Sequence, residues 1–308
     1  MKLIRTEDAV GHVLCHDMTQ IIKDKYKDAR FRKGHVVTEE DIPVLLSMGK
    51  AHLYVWEMTP GMVHENDAAE RLLTLCGQEN MLRSEVKEGK IELKAACDGV
   101  FLVDSQRLIA VNSQDEVMIA TRKGGTAVRA GDKLAGMRVI PLIIAGEKLQ
   151  KAERAAGGEP LLALKPYVRK TACIVATGGE VKKGLIQDTF TPVVIDKLRT
   201  YGIETLEVVY SGDGVENVRD AVLAMRERKP DMILCTGAMF LLGYFDDGTP
   251  VMGLPGCVMY AGATVFDLVL PKVAADVPVT RTGIAAMGEG GLCLGCKPCR
   301  YPVCPFGK

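Results

Sequence analysis

Cys293, Cys296, Cys299 and Cys304 are separated by two, two and four residues, and Pro305 follows the last of them. Thiols this close together can surround one metal ion. Gly290, Gly291, Gly295 and Pro298 supply the bends the backbone would need. All five histidines lie at or before His64, so a local tail site is an all-cysteine one. Such a set fits tetrahedral Zn2+ or an iron–sulfur cluster, and the spacing leaves both open. The plainer alternative is a tail of reduced or disulfide-forming cysteines, which would be prone to oxidation.

A second kind of chemistry resides in glycine turns. Thr177-Gly178-Gly179-Glu180-Val181-Lys182-Lys183-Gly184, with Asp188-Thr189 after it, leaves a β-branched apolar run and precedes a helical pattern. Glycines there let backbone N–H groups approach an anion, and the following helix adds its positive end. The stretch lacks both G-x-G-x-x-G and G-K-[ST], so neither a dinucleotide nor a Walker-type site is supported. Glu180 and Asp188 suit ring N–H donors or Mg2+ better than phosphate. Gly253-Leu254-Pro255-Gly256 opens the apolar run from Cys257 and offers further N–H groups to an anion. Thr236-Gly237 ends another apolar run, and Ser211-Gly212-Asp213-Gly214 precedes Val215, where an Asp reads as a helix N-cap. Each turn alone is more often a mere connection; together they fall on one edge of one sheet.

Cys15-His16-Asp17 and His64-Glu65 have no second ligand at helical spacing and read as surface or packing residues. Trp56 reads as core.

At 308 residues the chain exceeds the size, about 250–300 residues, at which single cores usually stop growing. Lys+Arg and Asp+Glu are both 39, so no basic excess points to nucleic acid or an anionic membrane. The N-terminus has no apolar signal run, and no stretch approaches the roughly 20 apolar residues of a membrane span. Cytoplasmic residence is expected, where the ten cysteines stay mostly reduced.

The elements that must position these residues fall into four segments. Residues 1–60 form a mixed α/β unit, with a helix over Thr38–Gly49 and a strand from Ala51 to Trp56. Residues 61–165 form a small β-rich domain. It starts with a helix at Asp67–Cys76 and continues with strands at Gly99–Val103, Arg107–Val111, Glu116–Thr121 and Arg138–Ile144. A helix near Glu147–Ala156 closes it, and residues 155–160 form a linker. Residues 166–285 alternate strand and helix: strands at Thr171–Thr177, Glu204–Val209, Met232–Cys235 and Val251–Gly253, helices at Thr189–Tyr201, Val215–Arg228 and Val258–Leu270, the last ended by Pro271. That alternation predicts an α/β, doubly wound, mostly parallel sheet, with ligands bound outside the carboxyl ends of its strands. Residues 286–308 are the cysteine-rich tail.

The run from Ala172 to Pro271 resembles the molybdenum-cofactor-biosynthesis domain family. The whole chain resembles bacterial molybdopterin-binding proteins related to molybdopterin molybdotransferase. Thr177-Gly178-Gly179-Glu180, Asp188, Asp213, Thr236-Gly237 and Gly253-Leu254-Pro255-Gly256 carry the likeness, with Arg32-Lys33-Gly34-His35 through Gly49 as a matching N-terminal segment. The resemblance implies that Thr177, Gly178, Gly179, Thr236, Gly237, Gly253, Pro255 and Gly256 hold a pterin and its phosphate. It implies that Glu180, Asp188 and Asp213 serve as catalytic acids near the dithiolene or metal end. The chain would then bind molybdopterin or the molybdenum cofactor and assemble it or deliver it to a recipient molybdenum enzyme. The alternatives are an active molybdotransferase that inserts molybdate, or a non-catalytic metal- or redox-responsive protein that uses the four-cysteine tail. Self-association is implied too, with Phe240–Phe245 as an apolar run for a subunit interface. The likeness departs after Gly237, where the family continues with a further glycine, a serine and an acidic residue. Here Ala238-Met239-Phe240 follows at once, leaving barely room for a helical crossover before Gly253.

Overall fold

The computed structural model describes residues 2–22, 26–56 and 60–307. Three buried cores succeed one another along the chain. The first gathers Ala9, Leu14, Met18, Phe31, Val37, Leu45, Leu53 and Val55. Around it lie an antiparallel sheet of Lys2–Arg5, His52–Trp56 and Val13–Leu14, a hairpin of Met18–Ile22 with Tyr26–Phe31, and a helix Asp41–Ser47. Gly49 closes that helix at φ +74°, but the start differs from expectation. Thr38 does not cap it; instead its N–H and hydroxyl both donate to Asp41 Oδ2, at 2.8 and 2.9 Å. The side chain of Trp56, expected in the core, lies outside the described residues.

The second core joins Leu72, Ile91, Leu93, Phe101, Ile119, Leu134, Met137 and Leu149 between three antiparallel sheets and three helices. One helix, Ser105–Asn112, stands where Arg107–Val111 was expected to be a strand. Local capping overrides β-propensity there: Asp104 accepts the Arg107 N–H at 3.1 Å, and Leu108 and Val111 fall on the buried side. Two further strands, Met81–Arg83 and Lys90–Ala95, have no counterpart among the elements expected from sequence. The strand expected at Arg138–Ile144 divides into Lys133–Val139 and Ile143–Ala145. His64 caps the helix Glu65–Thr74 by accepting the Asn66 N–H on Nδ1. That leaves its Nε2 to donate to the Gly34 carbonyl at 3.0 Å, so both ring nitrogens are engaged in structure.

The third core is built on a five-stranded sheet. Its elements are β1 (Thr171–Thr177), α1 (Phe190–Arg199), β2 (Glu204–Ser211), α2 (Val215–Arg226), β3 (Met232–Thr236), β4 (Leu241–Tyr244), β5 (Pro250–Leu254) and α3 (Val265–Ala274). The strand order is β2-β1-β3-β5-β4, with β4 antiparallel and the other pairs parallel. Val194 and Leu198 of α1 and Phe266, Val269 and Leu270 of α3 pack with Ile174, Leu234 and Met252. Met225 of α2 packs with Cys173, Val175, Ile233 and Cys235. Alternate residues of β1 and β3 thus go to two apolar clusters, which explains their unbroken hydrophobic runs. The second and third cores meet through Val100, and Tyr167 Oη donates to the Gly99 carbonyl at 3.1 Å.

Two features differ from expectation. The short span after Gly237 holds no crossover helix. The chain passes over the end of β5, descends as the edge strand β4, and turns back through Gly248 at φ +81°. A hairpin of this kind joins β3 to a parallel neighbour in fewer residues than a helix would need. The apolar run Val258–Leu270 is also not one helix. It breaks into a helical turn Cys257–Tyr260 and α3, because Thr264 and Asp267 form a capping box that starts a new helix. Pro271 lies inside α3 instead of ending it. Its missing N–H frees the Asp267 carbonyl, and Tyr301 Oη donates to that carbonyl at 2.8 Å. No helix among the described residues is long and apolar enough to cross a membrane.

Candidate functional site

The carboxyl ends of β1 and β3 are stitched by two threonines. Thr177 Oγ1 donates to the Thr236 carbonyl at 2.5 Å, and the Thr177 N–H donates to Thr236 Oγ1 at 3.2 Å. Thr236 is buried, so its hydroxyl serves the strand junction first. Gly237 follows at φ +74°, and a Cβ there would meet Thr177 Oγ1 at 2.5 Å. Gly253 of β5 is equally confined, since a Cβ would lie 2.7 Å from the Met239 carbonyl. These two glycines let three chain segments converge.

Beyond β1, Gly178 donates to the Ser211 carbonyl at 3.2 Å and has φ +134°. Gly179 starts a short helical turn, Gly179–Lys182. Its N–H donates to Asp213 Oδ2 at 3.1 Å, and a Cβ on Gly179 would approach that oxygen to 2.8 Å. Asp213 is therefore not the side-chain cap of α2 that the sequence implied; it bridges the loops after β1 and β2. Lys182, to which the sequence alone assigned no role, lies with its Cδ beside Gly212 and brings a cation to the same edge.

Asp188 heads α1. Its Oδ1 accepts the N–H groups of Phe190 and Thr191, at 2.9 and 3.0 Å, while Oδ2 is buried beside the Thr191 and Tyr210 hydroxyls. Burial raises the carboxyl's pKa, but those N–H groups and the neighbouring Thr191 and Tyr210 hydroxyls outweigh it, leaving it below the usual range. Glu180 is exposed, and its carboxylate makes no hydrogen bond among the described residues. Glu180, Asp188 and Asp213 are not gathered into one metal-holding group.

The Gly253–Gly256 turn joins this edge through β5, where Leu254 lies opposite Thr236 and its carbonyl accepts the Ala238 N–H at 3.1 Å. Thr189 Oγ1 meets Met259 Sδ at 3.2 Å, which fastens the start of α1 to the helical turn after Gly256. The Gly237 N–H is directed at the Leu254 carbonyl by the parallel pairing of Thr236 with Leu254, whereas the Gly256 N–H has no acceptor among the described residues. The glycine turns thus come together, and the free Gly256 N–H, a lysine and one free carboxylate stand among them.

The tail cysteines are placed differently. Cys293, Cys296 and Cys299 are exposed and Cys304 is half-buried. No three thiols among the described residues are close enough to hold a metal ion, so the tail as folded does not present the expected four-cysteine cage.

Residues 173–241 match the family described as probable molybdopterin binding domain, and residues 3–57 match a domain of unknown function (DUF8806). No curated protein matches the chain. Among solved structures, a putative molybdenum cofactor biosynthesis protein from Corynebacterium diphtheriae is 11% identical, with 36% of this chain and 99% of that one covered and a TM-score of 0.29. A molybdenum cofactor biosynthesis protein from Pyrococcus furiosus is 13% identical, with 90% of this chain and 63% of that one covered and a TM-score of 0.26. The family match runs from β1 to the first residue of β4. Within residues 173–241, therefore, the chain is similar to the probable molybdopterin binding domain family.

Proposed function

We propose that the α/β domain binds molybdopterin or the molybdenum cofactor at the carboxyl edge of its sheet, and that the protein takes part in assembling or delivering that cofactor. The observation that carries this reading is the convergence of the Thr177–Gly179, Thr236–Gly237 and Gly253–Gly256 turns on neighbouring strand ends. Open α/β sheets bind ligands at that edge, and the unpaired Gly256 N–H suits a phosphate. Lys182 adds charge for the same phosphate. Glu180 is the carboxylate left free to meet pterin N–H groups or the metal end, while Asp188 and Asp213 act as positioning residues. Where the family has a further glycine, a serine and an acidic residue after the Thr-Gly turn, this chain has Ala238, Met239 and Phe240, which favours binding over molybdate insertion. We place the domain within a doubly wound unit of residues 166–285, after a first unit to residue 60 and a second to residue 165.

The test is fluorescence and mass analysis of ligand released from protein purified without air. A near-stoichiometric pterin is expected. Failure to retain any pterin, even after molybdopterin is added, overturns the reading.

A further inference from the structure

Pterin binding leaves the four tail cysteines unused, and any role they have is independent of it. The tail is a closed loop: the Gly307 N–H donates to the Gly290 carbonyl at 2.9 Å, and all four cysteines lie between these residues. Its foot is anchored on the α/β domain. Tyr301 Oη fills the carbonyl of Asp267 that Pro271 leaves open, and Phe306, buried, packs edge-on to Tyr301 at 6.1 Å between ring centroids. Gly307 rests against Leu268, and Cys299 rests against Gly262, where any Cβ would fall 2.6 Å from its Sγ.

Leu292, Leu294 and Val303 are each at least 75% exposed, so the loop has no apolar core of its own. Segments this short that cannot build a core ordinarily rely on a disulfide or a metal. All ten cysteines are free thiols. Cys299 is fixed at the foot, while Cys293 and Cys296 are exposed on the stretch that carries Gly291 and Gly295.

We propose that residues 290–307 form a thiolate metal site, with Cys293, Cys296, Cys299 and Cys304 as ligands, that closes when the metal arrives. Four thiols bind a divalent ion as thiolates, releasing four protons and leaving a site of net charge −2 for Zn2+. An iron–sulfur cluster uses the same four donors.

The full chain is purified without air and assayed for zinc, iron and acid-labile sulfide. The assays are repeated on the double variant Cys293→Ser/Cys296→Ser and on Cys97→Ser, which lies outside the tail. The expected result is one metal site per chain in the parent and in Cys97→Ser, lost in the double variant. Zinc without sulfide identifies the mononuclear site, and iron with sulfide identifies the cluster. Because the double variant could misfold, accessible thiols are also titrated in the folded parent before and after a chelator, and four more should react once the metal is removed. Metal retained by the double variant, disulfides between tail cysteines in the anaerobic protein, or no metal uptake from Zn2+ or from Fe2+ with sulfide would each overturn the proposal.

Discussion

Asp213 Oδ2 accepts the Gly179 N–H at 3.1 Å, linking the loop after β2 to the first turn of the loop after β1. Gly179 has no room for a Cβ on that side, so carboxylate and backbone meet directly. Asp213→Ala removes the acceptor and frees the loop that carries Glu180 and Lys182. The expected outcome is a fall in pterin affinity of about tenfold, equivalent to about 1.4 kcal/mol, with thermal stability nearly unchanged because Asp213 is exposed. Parallel titration and melting curves check this. A large loss of stability with unchanged affinity would make the residue a structural brace only.

Gly237 supplies a harsher test of the strand junction. An alanine there must accept φ +74° and a Cβ 2.5 Å from Thr177 Oγ1. Backbone strain and displacement of the threonine stitch should together cost about 1–3 kcal/mol, measured by urea unfolding. Pterin retention should fall as well, because Gly237 lets the turns after β1 and β3 approach at the proposed site. An alanine variant of unchanged stability would show that Thr177 and Gly237 do not pack this closely in solution.

The opposite end of the sheet sets a pH dependence. Asp231 Oδ2 accepts the Lys170 N–H at 2.6 Å, the Thr171 N–H at 2.9 Å and the Thr171 hydroxyl at 3.0 Å. Burial raises its pKa, but these bonds and Arg169 outweigh it and hold the carboxyl below the usual range. A pKa depressed in the folded state stabilises fully above the unfolded value, near 3.9, and that stability is lost as pH falls through the folded value. Asp231→Asn should therefore cost about 1–2 kcal/mol at pH 7, with the gap from the parent narrowing below pH of about 4. Thermal melts from neutral to acid pH decide it; a gap that widens in acid would contradict the assignment.

Much of the architecture around the third core was legible because its strands carry unbroken β-branched runs and its helices a 3.6-residue period. Thr171–Thr177 and Val215–Arg226 fall within two residues of their expected bounds. Of the site, the glycine turns were legible because glycine is where a chain turns and approaches closely. The roles of the acids were not. Whether Asp213 caps its own helix or reaches Gly179 depends on how far β2 runs beside β1, a tertiary fact that local spacing does not contain. The edge strand β4 was hidden for a similar reason: Leu241–Tyr244 is too short to show a period. Its direction follows only from the length of the connection. The break before α3, by contrast, had a local signal in Thr264-x-x-Asp267 that the apolar run around it masked.

Asp267 gathers the last prediction. It is 7% exposed, accepts the Thr264 N–H at 2.7 Å through Oδ2, and pairs with Lys197 Nζ at 2.5 Å through Oδ1. The pair ties α1 to α3 across one face of the sheet. Breaking such a pair from one side leaves a charge buried without its partner, which costs more than the intact pair contributes. Lys197→Met should destabilise by about 3 kcal/mol, whereas adding Asp267→Asn in the same chain should recover part of that loss, since the amide still accepts from Thr264 without a net charge. A double-mutant cycle by chemical unfolding measures the coupling. Additive losses would mean that the lysine contributes packing alone and that the carboxylate is already satisfied by the capping box.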